Sequence, residues 1–244
     1  MGKIIVITGA GAGLGRAIAR RLAADGHELF LLGRTLAKLE TAAAEFGALA
    51  HPILCDVADP DSVDRAFAEI ASRVSRIDVL INNAGTFEPF SIREATNAQI
   101  ASILNTNLAG PVYCSRAALP LMGKGSQILN IGSETVVVTA AMLALYQSSK
   151  AGLERFSKSL QQEVEPAGIR VTLIRAGKMF GPDMGFSMDP ETARRFAEES
   201  LRLGIDNRKS ALSQFASVAE LIPPLLAMPE DIHIAEMMLE ARRA

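Results

Sequence analysis

Residues 3–15 read Lys3-Ile4-Ile5-Val6-Ile7-Thr8-Gly9-Ala10-Gly11-Ala12-Gly13-Leu14-Gly15. An unbroken apolar run passes into a glycine-rich turn, and Leu14, Ile18, Ala19 and Leu22 then recur at helical spacing until Asp25-Gly26. This is strand, turn, helix. Glycine lets a backbone turn tightly and lets its N–H groups approach a pyrophosphate at a helix N-terminus. A glycine run alone makes many plain turns. Its place between a buried strand and a helix, at the start of a βαβ unit, marks it as a dinucleotide-binding turn. Gly9, Gly11, Ala12, Gly13, Leu14 and Gly15 are therefore candidate cofactor contacts.

Outward from this turn the alternation continues. Leu29-Phe30-Leu31-Leu32 is a second apolar run, followed by helical spacing from Leu36 to Phe46 and by Gly47. Pro52-Ile53-Leu54-Cys55 reads as a third strand. Asp59 then caps a helix from Pro60 to Val74, with proline at the first helical position, where its missing N–H costs least. Val79-Leu80-Ile81, Ile128-Leu129-Asn130-Ile131 and Val171-Thr172-Leu173-Ile174 are further strands. Helices are predicted from Ala95 to Met122, bent or broken near Gly110-Pro111, from Leu145 to Val164, and near 190–203 and 217–227. Residues 177–190 are rich in Gly, Pro and Met and read as an irregular loop. Ile232-His233-Ile234 opens a last short strand. Consecutive apolar residues mark strands buried on both faces. The pattern predicts an α/β, doubly wound (Rossmann), mostly parallel seven-stranded sheet with helices on both faces. No linker or repeat interrupts it, so residues 1–244 are expected to form one domain, with a substrate loop at about 177–205.

Hydrophobic residues make up 49% of the chain and charged ones 21%, and the net charge is −2. This ordinary balance argues against a nucleic-acid partner. The opening apolar run is too short for a signal core or a membrane span, so a soluble, cytoplasmic protein with no membrane partner is expected. Cys55 and Cys114 read as buried free thiols. Neither they nor His27, His51 and His233 show metal-ligand spacing, and no metal is expected.

The end of the second strand bears on the cofactor's ribose. An acidic residue there would accept hydrogen bonds from a free 2′-hydroxyl and repel a 2′-phosphate. This chain has Gly33-Arg34-Thr35 instead. Gly33 leaves room, and the Arg34 guanidinium can fork onto a phosphate. NADP(H) is expected over NAD(H).

Tyr146 and Lys150 lie four apart at the start of a predicted helix and so share a face. A free phenol has a pKa of about 10, and a nearby cation lowers it. Lys150 is thus expected to bring Tyr146 down, making it a proton donor to a carbonyl oxygen or an acceptor from an alcohol.

Further segments fall in one order along the chain: Thr8-Gly9-x-x-x-Gly13-x-Gly15, Asp56-Val57, Asn82-Asn83-Ala84-Gly85, Asn107-Leu108-Ala109-Gly110, Ile131-Gly132-Ser133 and Tyr146-x-x-x-Lys150. Over essentially its whole length the sequence resembles the short-chain dehydrogenase/reductase family. The resemblance implies an NADP-dependent oxidoreductase acting on a small-molecule carbonyl or secondary alcohol. It implies that Tyr146 exchanges the proton, Ser133 holds the substrate oxygen, and Lys150 tunes Tyr146 and binds the nicotinamide ribose. Asn107 would hold a water joining Lys150 to solvent. Asp56 and Val57 would contact the adenine, and Asn83, Ala84 and Gly85 would line the cofactor. A homodimer or homotetramer is implied.

The chain departs from the family pattern in two places. Ala176-Gly177-Lys178-Met179 stands where Pro-Gly and then a small aliphatic residue are usual, so Ala176, Gly177 and Met179 are expected to form an unusual nicotinamide pocket. Ala12 stands where NADP-preferring members often carry a basic residue, which leaves Arg34 as the main phosphate partner. Met142, Leu143, Met179, Phe180, Met184, Phe186 and Met188 are candidates for an apolar substrate pocket, while Lys178, Arg194 and Arg195 read as solvated charges. The alternatives are a non-catalytic dinucleotide-binding sensor or scaffold, and a cofactor-retaining epimerase, for which little chain remains after residue 190.

Overall fold

In the computed structural model, which describes residues 2–184 and 188–242, the apolar runs become strands and the helical spacings become helices. The first half alternates β1 (Ile4–Thr8), α1 (Gly13–Ala24), β2 (Glu28–Gly33), α2 (Leu36–Phe46), β3 (Ala50–Leu54), α3 (Pro60–Arg73) and β4 (Val79–Asn82). Then come α4 (Asn97–Leu104), α5 (Gly110–Ala118), β5 (Gln127–Ser133), α6 (Ala144–Val164), β6 (Arg170–Ala176) and β7 (Met179–Phe180). The chain closes with α7 (Pro190–Arg202), β8 (Ser213–Gln214), α8 (Phe215–Ala219), α9 (Ile222–Leu226) and β9 (Glu236–Leu239).

One seven-stranded sheet runs in the order β3-β2-β1-β4-β5-β6-β9, and each neighbouring pair is parallel. Strand side chains alternate between faces. Ile5, Ile7, Leu29, Leu31 and Ile81 point to the face covered by α1, α2, α8 and α9. Val6, Phe30, Leu32 and Leu80 point to the face covered by α3, α5 and α6. All nine are fully buried, which is why the strands read as continuous apolar runs. The expected doubly wound architecture is the observed one.

Local signals explain the element ends. The Asp59 carboxylate accepts the Asp61 N–H at 3.0 Å and caps α3. The helix predicted from Ala95 starts after a reciprocal Thr96–Gln99 cap. It does not break at Gly110-Pro111. Instead, Asn105–Ala109 widen into a π-turn that runs on into α5. Pro111 has no N–H, so the Asn107 carbonyl loses its α-helical donor, and a wider turn absorbs the mismatch.

Three expectations are corrected. The last strand is Glu236–Leu239, not Ile232–Ile234, because the Arg170 guanidinium donates to the carbonyls of Pro229 and Ile232, both at 2.7 Å, and holds that segment as a loop. The predicted 217–227 helix is split into α8 and α9, since Pro223 and Pro224 remove two successive donors. Residues 177–190 are not wholly irregular, because β7 pairs with β8.

One buried ion pair braces this frame. Arg175 of β6 grips Glu154 of α6 through bonds of 2.6 and 2.8 Å and also pairs with Glu236 of β9. Glu154 sits one helical turn beyond Lys150, so the pair pins the helix carrying Tyr146 and Lys150 to the sheet. Removing Glu154 strips a largely buried guanidinium of its two-bond partner and leaves it Glu236 only. Glu154→Ala should therefore cost about 3 kcal/mol in urea unfolding. The joint change Glu154→Leu with Arg175→Met should cost markedly less, because Glu236 keeps Lys158 at 3.4 Å.

Candidate active site

The turn after β1 needs its glycines for different reasons. Gly9 and Gly13 have φ of 68° and 54°, a region that side chains disfavour. A Cβ on Gly15 would lie 2.3 Å from the Gly9 carbonyl oxygen, so Gly15 serves the close packing of α1 on the turn. Ala12 caps α1 without a side-chain acceptor, and the first turn holds no acid. No α1 side chain competes with an anion at this helix end, although Asp183 lies there, its carbonyl accepting the Gly13 N–H at 2.9 Å and its carboxylate pairing with Arg16 at 2.8 Å. The Thr8 hydroxyl accepts the N–H groups of Asn83 and Ala84, each at 3.0 Å, and so staples the end of β4 beside the turn.

Beyond β2, exposed Arg34 and Lys38 line one cleft. A Cβ on Gly11 would lie 3.2 Å from the Lys38 Cβ, which places Lys38 over the turn. Sequence reasoning missed Lys38, although it stands four residues after Arg34 on α2. The second basic group absent at Ala12 is available from here. Asp56 lines the same end, and its Oδ1 accepts the Ala58 N–H at 3.0 Å.

At the other end β5 delivers Ser133, opposite Ala176 in the β5–β6 register. Tyr146 and Lys150 project from the first turns of α6. The buried Lys150 Nζ donates to the Ile131 carbonyl at 2.8 Å. Asn107 is fully buried. Its Oδ1 accepts the Thr86 N–H at 2.7 Å, and its Nδ2 donates to the Thr86 carbonyl at 2.9 Å and to the Ser149 hydroxyl at 3.2 Å. A Cβ on Gly85 would come 3.4 Å from Asn107 Oδ1 and 3.6 Å from Lys150 Nζ. The structure thus brings the four expected catalytic residues together.

Their electrostatics differ from expectation. Burial pushes the Tyr146 phenol above its ordinary value, and the adjacent Ser133 hydroxyl pulls the other way without winning. Burial lowers the Lys150 ammonium to about 8. Lys150 does not bring the phenol down, because its ammonium is turned onto the Ile131 carbonyl and desolvation decides both groups.

The family model for short chain dehydrogenases matches residues 3–216. The chain belongs to the short-chain dehydrogenase family. It is 31% identical over 241 residues to carbonyl reductase family member 4 of Danio rerio, covering 98% of this chain and 96% of that protein. It is 36% identical over 183 residues to the sulfoacetaldehyde reductase of Chromohalobacter salexigens, covering 72% of each chain. A short chain dehydrogenase from Burkholderia cenocepacia, solved in complex with NADP, superposes with a TM-score of 0.81 at 28% identity, over 98% of this chain and 97% of that one.

In this short-chain dehydrogenase a cleft of about 1190 Å³ runs along the carboxyl ends of the strands. That exceeds the roughly 300–1,000 Å³ of a pocket for one ligand. Of the expected cofactor contacts only Gly15 lies outside its lining; Ser133 lines it, and Asn107 sits behind it. Leu143, Met179, Phe180, Met184 and Met188 line it as expected. Met142 does not: with φ of 53° it faces a separate hollow beside Arg194 and Arg195. Phe186 lies outside the described residues. Lys178 is not solvated, since its Nζ donates to Asn207 at 2.9 Å and Ser210 at 2.7 Å. Arg194 pairs with Glu191 and Glu198, and Arg195 with Glu94. Among the described residues no helix is long and apolar enough to cross a membrane, and no side-chain cluster could hold a metal ion.

Phe87 lines the cleft unexpectedly, while Phe196 falls within the expected 177–205 substrate region and Glu134 opens the Glu134–Leu143 stretch also expected to meet the substrate. Glu134 bears on the Ala176-Gly177 departure. Its Oε1 accepts the Lys178 N–H at 3.1 Å, which tethers the turn that a proline would otherwise stiffen. A Cβ on Gly177 would lie 2.5 Å from the Leu239 carbonyl oxygen, so glycine is required there.

The lowered Lys150 pKa makes a stability prediction. The unfolded lysine binds its proton up to pH 10.5, but the folded one only up to about 8. Between these values the unfolded chain holds the extra proton, so this group favours the folded state more as pH rises. Lys150→Met should raise the melting temperature at pH 7, and the gain should shrink toward pH 10. Thermal melts across that range, without added nucleotide, test it.

Proposed function

We propose that this short-chain dehydrogenase moves a hydride between NADP(H) and a small-molecule carbonyl or secondary alcohol, with Tyr146 exchanging the proton. The observation that carries this function is the convergence of buried Ser133 and Lys150 with half-buried Tyr146 in the same cleft as the glycine turn. A protein that only sensed a dinucleotide would need no buried ammonium, and strongly perturbed groups in a cleft mark chemistry.

Bound NADP(H) would supply or take the hydride. The turn from Gly9 to Leu14 would hold its pyrophosphate, and Arg34 with Lys38 its 2′-phosphate. Asp56 and Val57 would meet the adenine end. Asn83, Ala84, Gly85, Ala176, Gly177 and Met179 would border the nicotinamide end. NADP in the Burkholderia cenocepacia structure supports this choice of cofactor.

As negative charge grows on the substrate oxygen, the Ser133 hydroxyl donates a hydrogen bond to it. Tyr146, kept neutral by burial, gives the proton. Lys150, held at the Ile131 carbonyl, would bind the nicotinamide ribose. Asn107, whose carbonyl lacks its α-helical donor, holds a water through which the proton is restored. A phenol above its ordinary pKa is fully protonated at neutral pH, which suits the reductive direction.

Tyr146→Phe should lower NADPH-dependent carbonyl reduction by at least about a hundredfold, with much less effect on NADPH binding. Steady-state rates and nucleotide fluorescence titration separate the two, and undiminished activity would refute the mechanism. Arg34→Ala and Lys38→Ala should each weaken NADPH by about tenfold and NADH far less. Equal losses for the two nucleotides would refute the cofactor assignment.

A further inference from the structure

Building on that hydride-transfer function, we propose that the substrate end of the cleft selects uncharged carbonyl compounds bearing a bulky aromatic group, and that Phe87 and Phe196 do the selecting. The Phe87 ring meets Tyr146 edge-on, with centroids 5.1 Å apart and planes at 80°. It meets Phe196 of α7 in the same manner, at 6.3 Å and 84°. Both phenylalanines are half-buried and line the cleft. Together with Tyr146 they form an aromatic wall beginning at the proton donor itself. Rings favour such edge and offset arrangements, and a further ring extends the series. Phe87 is also held from behind, since Asn107 clamps both backbone groups of the preceding Thr86.

Charge points the same way. Arg34 and Lys38 stand beyond β2, at the turn end of the cleft. Near Ser133 the lining carries Glu134 and Glu240. Lys178 stands there too, its ammonium oriented by the neutral Asn207 and Ser210 and its N–H by Glu134, so it offsets one of the two carboxylates. Apart from Lys150 beneath Tyr146, no other lysine or arginine among the described residues lines this end. An anionic substrate would enter beside two carboxylates, with the half-buried Lys178 ammonium, held by Asn207 and Ser210, as the countercharge, so this end offers it no net attraction. The mouth is apolar, with exposed Val138, Phe180, Met184 and Leu212.

Three probes isolate the two features. Acetone and acetophenone differ by a ring, while acetophenone and benzoylformate differ by a charge. With NADPH, kcat/KM for acetophenone should exceed that for each of the others by about tenfold or more. Phe87→Leu and Phe196→Ala should each reduce the acetophenone-to-acetone ratio by about tenfold. Binding of the same probes, read by saturation-transfer NMR, should rank them in the same order. Preference for benzoylformate, or an unchanged ratio in the folded Phe196→Ala protein, would overturn the selection. If no carbonyl is reduced, the hydride-transfer function fails, and the NMR ranking still decides the selection.

Discussion

A parallel strand reaches its neighbour only through a crossover, and each crossover returns the chain to the same end of the sheet. Here every pairing in the main sheet is parallel. Gly9, Arg34, Asp56, Asn83, Ser133 and Gly177 therefore all leave the sheet on one side, although they span most of the sequence. Between β1 and β4 the strand order reverses, so successive connections part in opposite directions and open a crevice. The same constraint buries both faces of the sheet. Polar chemistry is thus confined to strand ends and to helix faces that overhang them.

The overhanging face is where the structure bears a cost. An ammonium at Lys150 is held out of water and given the Ile131 carbonyl in exchange, and its lowered pKa measures how incomplete that exchange is. A turn away on the same helix, Glu154 meets Arg175 with both carboxylate oxygens. The first contact is tense and the second well satisfied, and the second keeps the helix in place while the first waits to be used. A buried charge beside a proton donor is useful only if the backbone carrying it cannot relax away from it.

Repeating local patterns were legible in the sequence. The apolar runs, the Asp59 cap and the Tyr146–Lys150 spacing each depend on neighbours within a turn or two. What was not legible depends on distant partners. Ile232-His233-Ile234 is as apolar as a strand, but the Arg170 guanidinium holds it as a loop. Lys38 has the spacing of an ordinary helix-surface lysine, and only the fold sets the glycine turn against it. Phe87 and Phe196 are more than a hundred residues apart, and no periodicity links them. The phenol's pKa failed for a related reason: spacing gives adjacency on a helix, while desolvation is set by everything packed above it.

Asn107 joins the legible and the hidden parts. Its position follows from a π-turn that Pro111 favours by withholding an N–H. The widened turn sets the side chain against Thr86, where it engages the N–H and the carbonyl as a neighbouring strand would. Thr86 is thereby fixed as an extension of β4, and Phe87 follows with its ring against Tyr146. A single amide thus couples the end of a strand, the environment of the proton donor and the wall of the substrate cleft. Changing Asn107 would disturb all three together, so a loss of activity there would not by itself separate a water-holding role from a positioning one. The ring contacts would distinguish them, since only the positioning role moves Phe87.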